Sequence, residues 1–475
     1  MKQIAYVTDI RVLDDEIAKR GGLDLTIDNV GFEISKIALV MLGGSYGKRV
    51  LVDAGPGNNG ADARATASEL LKRGVKIVLK ESKDRSSSDV DGIDLYIDGV
   101  LGVGVNRDYI PRSLPDDVPV LAIDVPSGLD ADLGTVHGGC QRADVTVTIG
   151  ALKPGLLQNQ GPKFAGKIEL ILSELYESPL SVSLIEDSDV LDLLPVSTLA
   201  DHKWRHSVFT LAGSESMMGA AELSTLASYR VASGIVHLYY PLTTPARQGV
   251  DLALSPEIVR VGLESLWAEP VIESARRFKA IVIGPGLGRS IQLSNLVRRL
   301  LVHSEVPAVL DADGIFALGE PARLERLARG RSAPIVITPH EGEFNSFFEP
   351  IGLAVQSEQD RIDITKRAAL ASSSIVLLKG SPTVVATPSG VVYVITSGSS
   401  RLAVAGTGDV LSGVIGGLFA RGVEPALAAA LGAHIHGRAS SYLGGYSIRA
   451  SELVDACVEW LSALDRRWHV GLESI

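Results

Sequence analysis

The chain has 475 residues, too many for a single hydrophobic core, which predicts two large domains or three small ones and favours two. Hydrophobic residues make up 46%, glycine occurs 49 times and aromatic residues reach only 5%, a composition typical of parallel sheets covered by helices. A formal net charge of −11 without a long Lys/Arg run argues against a nucleic-acid partner. Anionic ligands should therefore be held by backbone N–H groups at helix N-termini.

The two cysteines, Cys140 and Cys457, are far apart and outside any CxxC or His-rich context, so neither a disulfide framework nor a zinc site is predicted. Small buried apolar residues are the favoured interpretation. The first residues carry acids where a signal peptide needs an apolar core, and no uncharged apolar run reaches about 18 residues. We expect a soluble cytoplasmic protein with no membrane partner.

The first part of the chain reads as one αβ series. One or two helices are predicted within residues 14–41, and residues 48–172 then alternate short apolar runs with helical stretches. This alternation predicts a parallel sheet covered on both faces. Between residues 180 and 198 the pattern weakens into a stretch with serines, prolines and acids. We therefore predict domains at 1–178 and 200–475, joined by a linker at 179–199.

A second αβ series begins at "SVFTLAG" and continues to "SIVLLKGSPTVVATPSGVVYVIT". This last segment by itself predicts two or three strands with turns between them. Three helical segments are expected from Gly408 onward. The predicted fold class is α/β in both halves, with a Rossmann-like three-layer αβα N-terminal domain.

The segment "GPGNNGAD" (Gly55–Asp62) follows a predicted strand and precedes a predicted helix. Its three glycines form GxGxxG, and Glu81 lies about 20 residues on, which satisfies the dinucleotide-binding fingerprint, although a lone match is weak. Asn58 and Asn59 add amide donors and carbonyl acceptors that can face a ligand or a hard cation. The alternative is a left-handed turn in which Asn merely tolerates positive φ.

Two further loops follow predicted strands. Asp98 ends one strand, before a loop at residues 102–108, and Asp124 ends the other, before Ser127. Because ligands of doubly wound sheets sit outside the carboxyl ends of the strands, these groups and the Asn pair are expected to converge on one crevice. The alternative for Asp124 is a polar cap on a helix or turn.

These motifs resemble the N-terminal domain of the bifunctional NAD(P)H-hydrate repair enzymes, the NAD(P)HX epimerase, over about residues 1–175. The resemblance implies interconversion of the R and S hydrates of NADH or NADPH, with Asp124 as the catalytic carboxylate because inversion requires proton transfer. It implies potassium ligands with hard oxygen donors at Asn59, Asp98 and Ser127. It implies hydrate-binding loops formed by Asn58, Asn59, Gly60, Ala61 and Asp62 and by Gly102, Val103, Gly104, Val105, Asn106, Arg107 and Asp108.

The chain departs from that family at two places. It has "GADA" where the family usually has GGDG, and "IDNVG" where the family has MENAG. We expect the two extra methyl groups of GADA to narrow the pocket.

The stretch "VAGTGDVLSG" (Val404–Gly413) places Asp409 at a glycine-rich turn. The apolar residues after Gly408 keep helical spacing, so residues 406–409 are expected to lead into a helix. Unpaired N–H groups at such a turn form an anion hole, and Asp409 beside it can take a proton from a hydroxyl that attacks a phosphoryl group. The alternative is a simple N-cap, which needs no upstream glycines.

About residues 200–470 resemble the ribokinase-like fold and, within it, the NAD(P)H-hydrate dehydratase, through ordered motifs that include "IGPGLG", "ITPHEGEF", "LLKGSPTVV" and "AGTGDVLSG". The resemblance implies dehydration of the S hydrate at the expense of ADP or ATP with Mg²⁺, and Asp409 as the base. It implies nucleotide contacts from Lys379, Gly380, Ser381, Pro382, Thr383, Gly406, Thr407 and Gly408, and hydrate contacts from Ala220, Gly286, His340 and Asp409.

Structural explanations compete with these roles. His340 can be an ordinary exposed residue, and Lys379 a solvated charge. Gly286 can serve only a tight turn, and Ala220 only helix packing. The acids of "VLDADG" (Val309–Gly314) can help to hold magnesium or simply end a strand, and they stay unassigned.

Residues 398–404 read "GSSRLAV" where the family carries a GNPGMAT-like run, which leaves nucleotide preference open. Two other functions stay open. One is a ribokinase-like small-molecule kinase, for example of the hydroxymethylpyrimidine kinase type, with an accessory N-terminal domain. The other is a non-enzymatic nucleotide sensor or scaffold. A homo-oligomer is expected.

Overall fold

The structure is a computed structural model that describes residues 1–19, 23–81, 90–104, 107–171, 180–195, 202–231, 233–242 and 255–472. The chain forms two compact units. The N-terminal unit comprises Lys2–Val182 and Gln356–Asp360, and the C-terminal unit comprises Met1, Ser183–Val355 and Arg361–Ile475. Among the described residues, no helix combines the length and the apolar character that a membrane span requires.

The N-terminal unit is an αβ layer structure. Its elements are β1 (Lys2–Gln3), α1 (Val7–Lys19), α2 (Leu23–Leu42), β2 (Arg49–Ala54), α3 (Asn58–Lys72), β3 (Lys76–Glu81), β4 (Leu95–Gly99), β5 (Val120–Ile123), β6 (Val145–Ile149), α4 (Pro154–Leu157), α5 (Gly161–Phe164) and β7 (Lys167–Ile171).

Six of these strands form one sheet in the order β3-β2-β4-β5-β6-β7, and each adjacent pair is parallel. Apolar residues on one face, such as Val50, Val52 and Ile97, are completely buried with residues of α2 and α3. The chain changes direction across the sheet after β3, so the carboxyl ends of β2 and β4 flank a crevice, which is where doubly wound sheets bind ligands.

The C-terminal unit contains β8 (Val182–Leu184), which begins at the boundary, and a larger αβ series. The further elements are α6 (Asp187–Leu193), β9 (Ser207–Leu211), α7 (Met218–Val231), β10 (Ile235–Pro241), β11 (Val259–Leu263), α8 (Ala268–Ala275), β12 (Ala280–Ile283), α9 (Ile291–His303), β13 (Ala308–Leu310), α10 (Asp313–Leu318), α11 (Pro321–Arg329), β14 (Ile335–Ile337), α12 (Glu341–Phe348), α13 (Arg361–Ser372), β15 (Ile375–Leu378), β16 (Thr383–Ala386), β17 (Val392–Ile395), α14 (Thr407–Ala420), α15 (Pro425–Tyr442) and α16 (Ala450–Leu472).

The sheet of this unit runs in the order β8-β17-β16-β15-β14-β13-β12-β9-β10-β11. The pairs from β15 through β11 are parallel, whereas β16 is antiparallel to both β15 and β17. The carboxyl ends of β13, β14 and β15 therefore share one edge, and the segments that follow these strands lie close together there.

Helix α14 begins near that edge of the sheet and packs closely against its neighbours. A Cβ on Gly413 would lie 2.1 Å from the carbonyl oxygen of Ser224 in α7, and one on Gly416 would lie 2.3 Å from Cγ2 of Val282 in β12. These glycines allow the backbone to approach, and Val410, Val414 and the other apolar residues of α14 fill the core.

The observed architecture confirms the predicted α/β fold class with parallel sheets. Three strands and then three long helices also appear where they were expected in the C-terminal part. The division after Val182 falls inside the predicted linker, which contains β8 and α6, and Ile185 and Val190 are buried in the C-terminal core. The domain limits at 178 and 200 stay predictions. Both cysteines are free, and burial raises the pKa of each thiol to about 12.

Candidate active sites

In the C-terminal unit, the turn before α14 has the geometry of an anion hole. Gly406 is the N-cap, with a φ of 93°, and no side chain caps the helix. A Cβ here would lie 2.7 Å from Cδ1 of Leu223, so both conformation and space require glycine. The hydroxyl of Thr407 donates instead to the carbonyl of Leu402, at 2.8 Å. The first N–H groups of α14 are therefore not bound by a side-chain cap and are oriented for an anion.

Asp409 lies in the first turn of α14, and no other described residue donates a hydrogen bond to its carboxylate. Burial, and after it the nearby Asp311, raise the pKa of this carboxyl group to about 7 against the lowering effect of Lys379. A carboxyl group with a pKa near the working pH is suited to accept a proton in catalysis.

Asp311, directly after β13, is the centre of a buried network. Lys379 Nζ donates to its Oδ1 at 2.9 Å, and Thr338 Oγ1 donates to the same oxygen at 2.9 Å. Ser412 Oγ donates to Oδ2 at 2.7 Å. The Asp311 carboxylate is thus occupied by three protein donors, which favours the structural alternative for this part of "VLDADG".

The second acid of that motif is also occupied. The backbone N–H of Gly288 donates to Asp313 at 2.8 Å, and Arg289 Nε donates to it at 2.7 Å. Among the described residues, no group of three or more His, Cys, Asp or Glu side chains has the arrangement of a metal site.

Lys379 was predicted as a nucleotide contact and lies beside the anion hole. A Cβ on Gly408 would be only 3.3 Å from Lys379 Nζ. The neighbouring carboxylates, chiefly Asp311, raise the pKa of this ammonium against the opposing effect of burial. Its side chain is one-fifth exposed, so it is not the solvated charge of the alternative explanation.

His340 caps α12, and this fixes its tautomer. Nδ1 accepts from the N–H groups of Gly342 at 3.0 Å and Glu343 at 3.3 Å, so the ring proton of neutral His340 is on Nε2. The side chain is 61% exposed. The N–H of Lys379 donates to the Pro339 carbonyl at 2.9 Å, so the two predicted binding loops are adjacent.

Gly286 and Ala220 are neighbours. A Cβ on Gly286 would lie 2.9 Å from Cβ of Ala220 and 2.5 Å from the carbonyl oxygen of Met217, and Gly286 has a φ of 58°. The turn and the helix contact that were considered as alternatives are therefore both present. They also bring these two predicted hydrate contacts together at the N-terminus of α7.

His436 supports the turn at Thr407. The sequence interpretation assigned no role to this residue. His436 Nε2 donates to the Thr407 carbonyl at 2.9 Å, and burial lowers the pKa of the imidazole to about 4. The ring is thus neutral above pH 5. No local sequence pattern relates His436 to a carbonyl 29 residues earlier in the chain.

The departure "GSSRLAV" is an ordered segment of this structure. Arg401 donates to the carbonyl of Leu443 at 2.6 Å, and the hydroxyls of Ser399 and Ser440 are 2.9 Å apart. The segment that precedes the anion hole is therefore anchored to the end of α15 by side chains that the usual family run would not supply.

The N-terminal unit contains a cavity of about 400 Å³ at the carboxyl ends of its strands. Eight of the predicted site residues line it, namely Asn58, Asn59, Asp62, Gly102, Val103, Gly104, Arg107 and Asp124. Ile27 and Val30 of "IDNVG", together with Lys153, also line the cavity. Residues of all three strand-end loops therefore line one cavity, but Asp98 and Ser127, which were expected in the same crevice, are not among its lining residues.

Asn58 and Asn59 are the first two residues of α3, and neither has a positive φ. The interpretation as a left-handed turn is therefore wrong. A Cβ on Gly60 would lie 1.8 Å from the carbonyl oxygen of Gly55, which shows that Gly60 allows the helix to approach the strand end. Glu81 is bound by Arg64, whose nitrogens lie 2.6 and 3.1 Å from its carboxylate oxygens.

The three predicted potassium ligands are linked by hydrogen bonds, because Ser127 binds Asp98 and its hydroxyl lies 3.3 Å from the Leu101 carbonyl that Asn59 also contacts. Ser127 donates to Asp98 through both its hydroxyl, at 2.7 Å, and its N–H, at 2.8 Å. Asn59 Nδ2 donates to the carbonyl of Leu101 at 3.0 Å, while Asn59 Oδ1 is buried and has no hydrogen-bond partner among the described residues. An orphaned amide oxygen beside a buried carboxylate and a hydroxyl is a donor set that fits a hard monovalent cation.

Asp124 has a strained backbone and a partner that the sequence interpretation missed. Its φ is 63°, in the left-handed region. Its Oδ1 accepts from Ile149 N at 3.2 Å and from the ammonium of Lys153. Lys153, which is almost completely buried, also donates to Thr148 Oγ1 and to the Ile149 carbonyl. Asp124 is thus held by a saturated lysine at the cavity wall and is not simply a turn cap.

The remaining predicted residues of this unit have other surroundings. A Cβ on Gly99 would lie 2.4 Å from Ala63 Cβ, so that methyl group of "GADA" packs between helix and strand. Neither alanine of "GADA" is among the cavity-lining residues. Asp108 lies against Gly138. Val105 and Asn106 lie outside the described residues.

The fold and the two sites define an α/β enzyme with a ribokinase-like unit and a Rossmann-like unit. The chain matches the family model described as NAD(P)H-hydrate dehydratase over residues 208–454. It also matches the model described as YjeF-related protein N-terminus over residues 26–91 and 76–155. The chain belongs to the family of bifunctional NAD(P)H-hydrate repair enzymes.

Individual relatives extend over most of the chain. The bifunctional NAD(P)H-hydrate repair enzyme Nnr of Mycobacterium tuberculosis (strain H37Rv) is 34% identical over 423 residues, 84% of each chain. The enzyme of the same name from Moorella thermoacetica is 30% identical over 465 residues, 86% of each chain. A solved ribokinase-like superfamily protein from Enterococcus faecalis matches 60% of this chain and 98% of its own, with a TM-score of 0.51 at 20% identity, which shows the fold alone.

Proposed function

We propose that this protein repairs hydrated nicotinamide cofactors in two steps. The N-terminal unit interconverts the R and S hydrates of NADH and NADPH, and the C-terminal unit dehydrates the S hydrate at the expense of ADP or ATP. Family membership supports both activities. The observation that carries the proposal is the Asp409 carboxyl group, with a pKa raised to about 7, beside the glycine-capped turn of α14.

In the dehydration step, Asp409 accepts the proton of the ring hydroxyl, whose oxygen then attacks the terminal phosphoryl group of the nucleotide. The N–H groups at the start of α14 stabilise the negative charge that develops on that phosphoryl group. As the new oxygen–phosphorus bond forms, the phosphoryl group's bond to the rest of the nucleotide breaks, which releases AMP from ADP or ADP from ATP. The ring carbon–oxygen bond then breaks and inorganic phosphate leaves, and the neighbouring ring carbon loses a proton to solvent, which restores the ring double bond. Magnesium would supply charge neutralisation at the nucleotide phosphates.

The neighbouring residues hold the reactants. The Lys379–Thr383 loop and residues Gly406, Thr407 and Gly408 contact the nucleotide. Ala220, Gly286 and His340 contact the hydrate, with His340 presenting its Nε2–H as a donor. The adjacency of Gly286 to Ala220 and of Lys379 to Pro339 supports a single cleft for both reactants.

In the epimerisation step, Asp124 moves the proton that inversion of the hydroxyl-bearing carbon requires. Lys153 holds one carboxylate oxygen of Asp124 through a hydrogen bond, which leaves the other oxygen for the substrate. The cavity-lining loops from Asn58 to Asp62 and from Gly102 to Arg107 enclose the hydrate. Potassium would be held by Asn59, Asp98 and Ser127, where it would neutralise negative charge near the substrate.

The cellular setting is part of the same proposal. We place the enzyme in the cytoplasm, where reduced nicotinamide cofactors are used, and we expect a homo-oligomer. Light scattering of the purified protein measures the oligomeric state directly, and a monomeric mass would contradict this part of the proposal.

A product assay tests the function. The pure protein is incubated with mixed R and S hydrates, with and without ADP, ATP and potassium, and the absorbance of reduced nicotinamide is followed. The expected result is nucleotide-dependent conversion of the S hydrate to the reduced cofactor, followed by consumption of the R hydrate as it is epimerised. A stable phosphorylated product without recovered absorbance would instead identify a kinase, and no turnover at all would favour a sensor or scaffold.

A further inference from the structure

Arg361, the first residue of α13, is a buried cation that contacts two predicted binding loops. The first is the Lys379–Thr383 loop, and the second is the segment at His340 and Glu341 where α12 begins. Only 8% of its side chain is exposed. Its Nε donates to the carbonyl of Pro382 at 2.8 Å, and Nη2 donates to the carbonyl of Lys379 at 2.5 Å. These two carbonyls belong to opposite limbs of the Lys379–Thr383 loop. A single guanidinium therefore holds both limbs of that loop.

The loop backbone lies directly on the guanidinium. Gly380 has a φ of 156°, and a Cβ at this position would lie 2.1 Å from Nη2 and 2.6 Å from Cζ of Arg361. Any other residue would displace the arginine or the loop. The glycine of "KGSPT" is thus explained by its contact with Arg361.

The third arm of the guanidinium reaches the other loop. Nη1 donates to Oε1 of Glu341 at 2.5 Å, and Glu341 is the first residue of α12, next to His340. A buried charge must have its hydrogen bonds satisfied. Here the acceptors are two carbonyls of the first loop and a carboxylate of the second, so the position of one loop depends on the position of the other.

We propose that Arg361 is a positioning residue that fixes the Lys379–Thr383 loop against the N-terminus of α12. The identity of the two ligands, nucleotide and hydrate, rests on the proposed function, whereas the arrangement of the loops does not. In this proposal Arg361 acts through the loop backbone and takes no part in the chemical step. Because a preformed loop binds its ligand without an ordering cost, loss of Arg361 should raise KM much more than it lowers kcat.

The chain offers a matched control. Arg331, just before β14, also donates to three backbone carbonyls, those of Ala333, Leu301 and Val306. We compare Arg361→Gln with Arg331→Gln. Both variants should lower the melting temperature, because each leaves carbonyls without their buried donor. Only Arg361→Gln should raise the nucleotide KM, by about tenfold or more, with kcat within about threefold of the wild type.

A conservative variant refines the test. Arg361→Lys keeps the charge, but a single ammonium cannot reproduce the planar fork that holds two carbonyls and a carboxylate. Its nucleotide KM should lie between those of the wild type and Arg361→Gln. A nucleotide KM of Arg361→Gln within about twofold of the wild type, or an equal rise in Arg331→Gln, would overturn the proposal.

Amide hydrogen exchange without ligands separates this inference from the proposed function. Exchange in the peptide that contains residues 380–383 should accelerate in Arg361→Gln and stay unchanged in Arg331→Gln. If the wild type converts no hydrate, the proposed function fails, yet exchange in this loop still decides the role of Arg361. Unchanged protection in Arg361→Gln overturns it.

Discussion

The ammonium nitrogen of Lys379 lies 2.9 Å from Oδ1 of Asp311, and this ion pair flanks the first turn of α14. A Cβ on Gly408 would be 3.3 Å from the Lys379 nitrogen and 3.7 Å from Oδ2 of Asp311. Asp409 is therefore next to one negative and one positive group. Asp311 raises the pKa of Asp409 and Lys379 lowers it, so this ion pair helps to set the pKa of the proposed base.

Asp409→Asn should reduce dehydration of the S hydrate by about 10²- to 10⁴-fold, the usual effect of removing a positioned base. Nucleotide binding should survive, because the N–H groups of the α14 turn remain. Single-turnover assays and calorimetric nucleotide titrations measure the two effects separately. A variant that retained more than about half of the dehydration rate would remove Asp409 from the mechanism.

The pH dependence of dehydration should follow the ionisation of Asp409. The pKa is about 7, and only the carboxylate accepts a proton, so kcat/KM should rise with pH up to about 7 and then level off. Asp311→Asn removes a negative neighbour and should move the rising limb of the kcat/KM profile to lower pH. Lys379→Met removes the positive neighbour and should move it to higher pH. Limbs that do not move in these opposite directions would refute the assignment.

The same carboxyl group should make stability depend on pH. Its pKa is about 7 in the folded protein and about 3.9 in an unfolded chain, so the folded state binds the proton more tightly. Stability from this group is therefore full below about pH 4 and declines as the pH rises to about 7. At pH 8, Asp409→Asn should be more stable than the wild type by about 1–2 kcal/mol, since partial exposure screens the effect. Thermal melts between pH 5 and 8 measure it, and a constant difference would count against burial of the charge.

The two activities should separate at Asp124 and Lys153. Asp124→Ala should abolish conversion of R to S hydrate without an effect on dehydration of purified S hydrate. Lys153→Met should also impair epimerisation, because it removes the donor that holds Asp124 Oδ1. Both rates are measured by chromatography of the two hydrates. Normal epimerisation by Asp124→Ala would exclude this residue from proton transfer.

Potassium should stabilise the N-terminal unit through Asn59. Its buried Oδ1 has no hydrogen-bond partner in the part of the chain that the structure describes, so a bound cation would satisfy it and raise the melting temperature by mass action. Asn59→Leu should remove the dependence of melting temperature on potassium chloride relative to choline chloride. A potassium effect that persists in the variant would place the cation elsewhere.

Much of the fold followed from local pattern. Strand and helix periodicity along residues 48–172 predicted the parallel sheet, and the spacing after Gly408 predicted α14. The Asn58–Asp62 loop and Asp124 were expected in one crevice because strand ends of a parallel sheet meet at one edge, and they line one cavity. The left-handed turn was wrong because Asn58 and Asn59 already belong to α3.

The sequence by itself determined the α/β class, the two glycine-rich loops and the two candidate carboxylates, because each depends on residues close together in the chain. Only the tertiary structure decided which groups surround those carboxylates. Lys379 is 68 residues from Asp311, Lys153 is 29 from Asp124, and Arg361 joins two loops on different strands. Such contacts follow from strand order and from the packing of helices over the sheet, which no local pattern of side chains specifies.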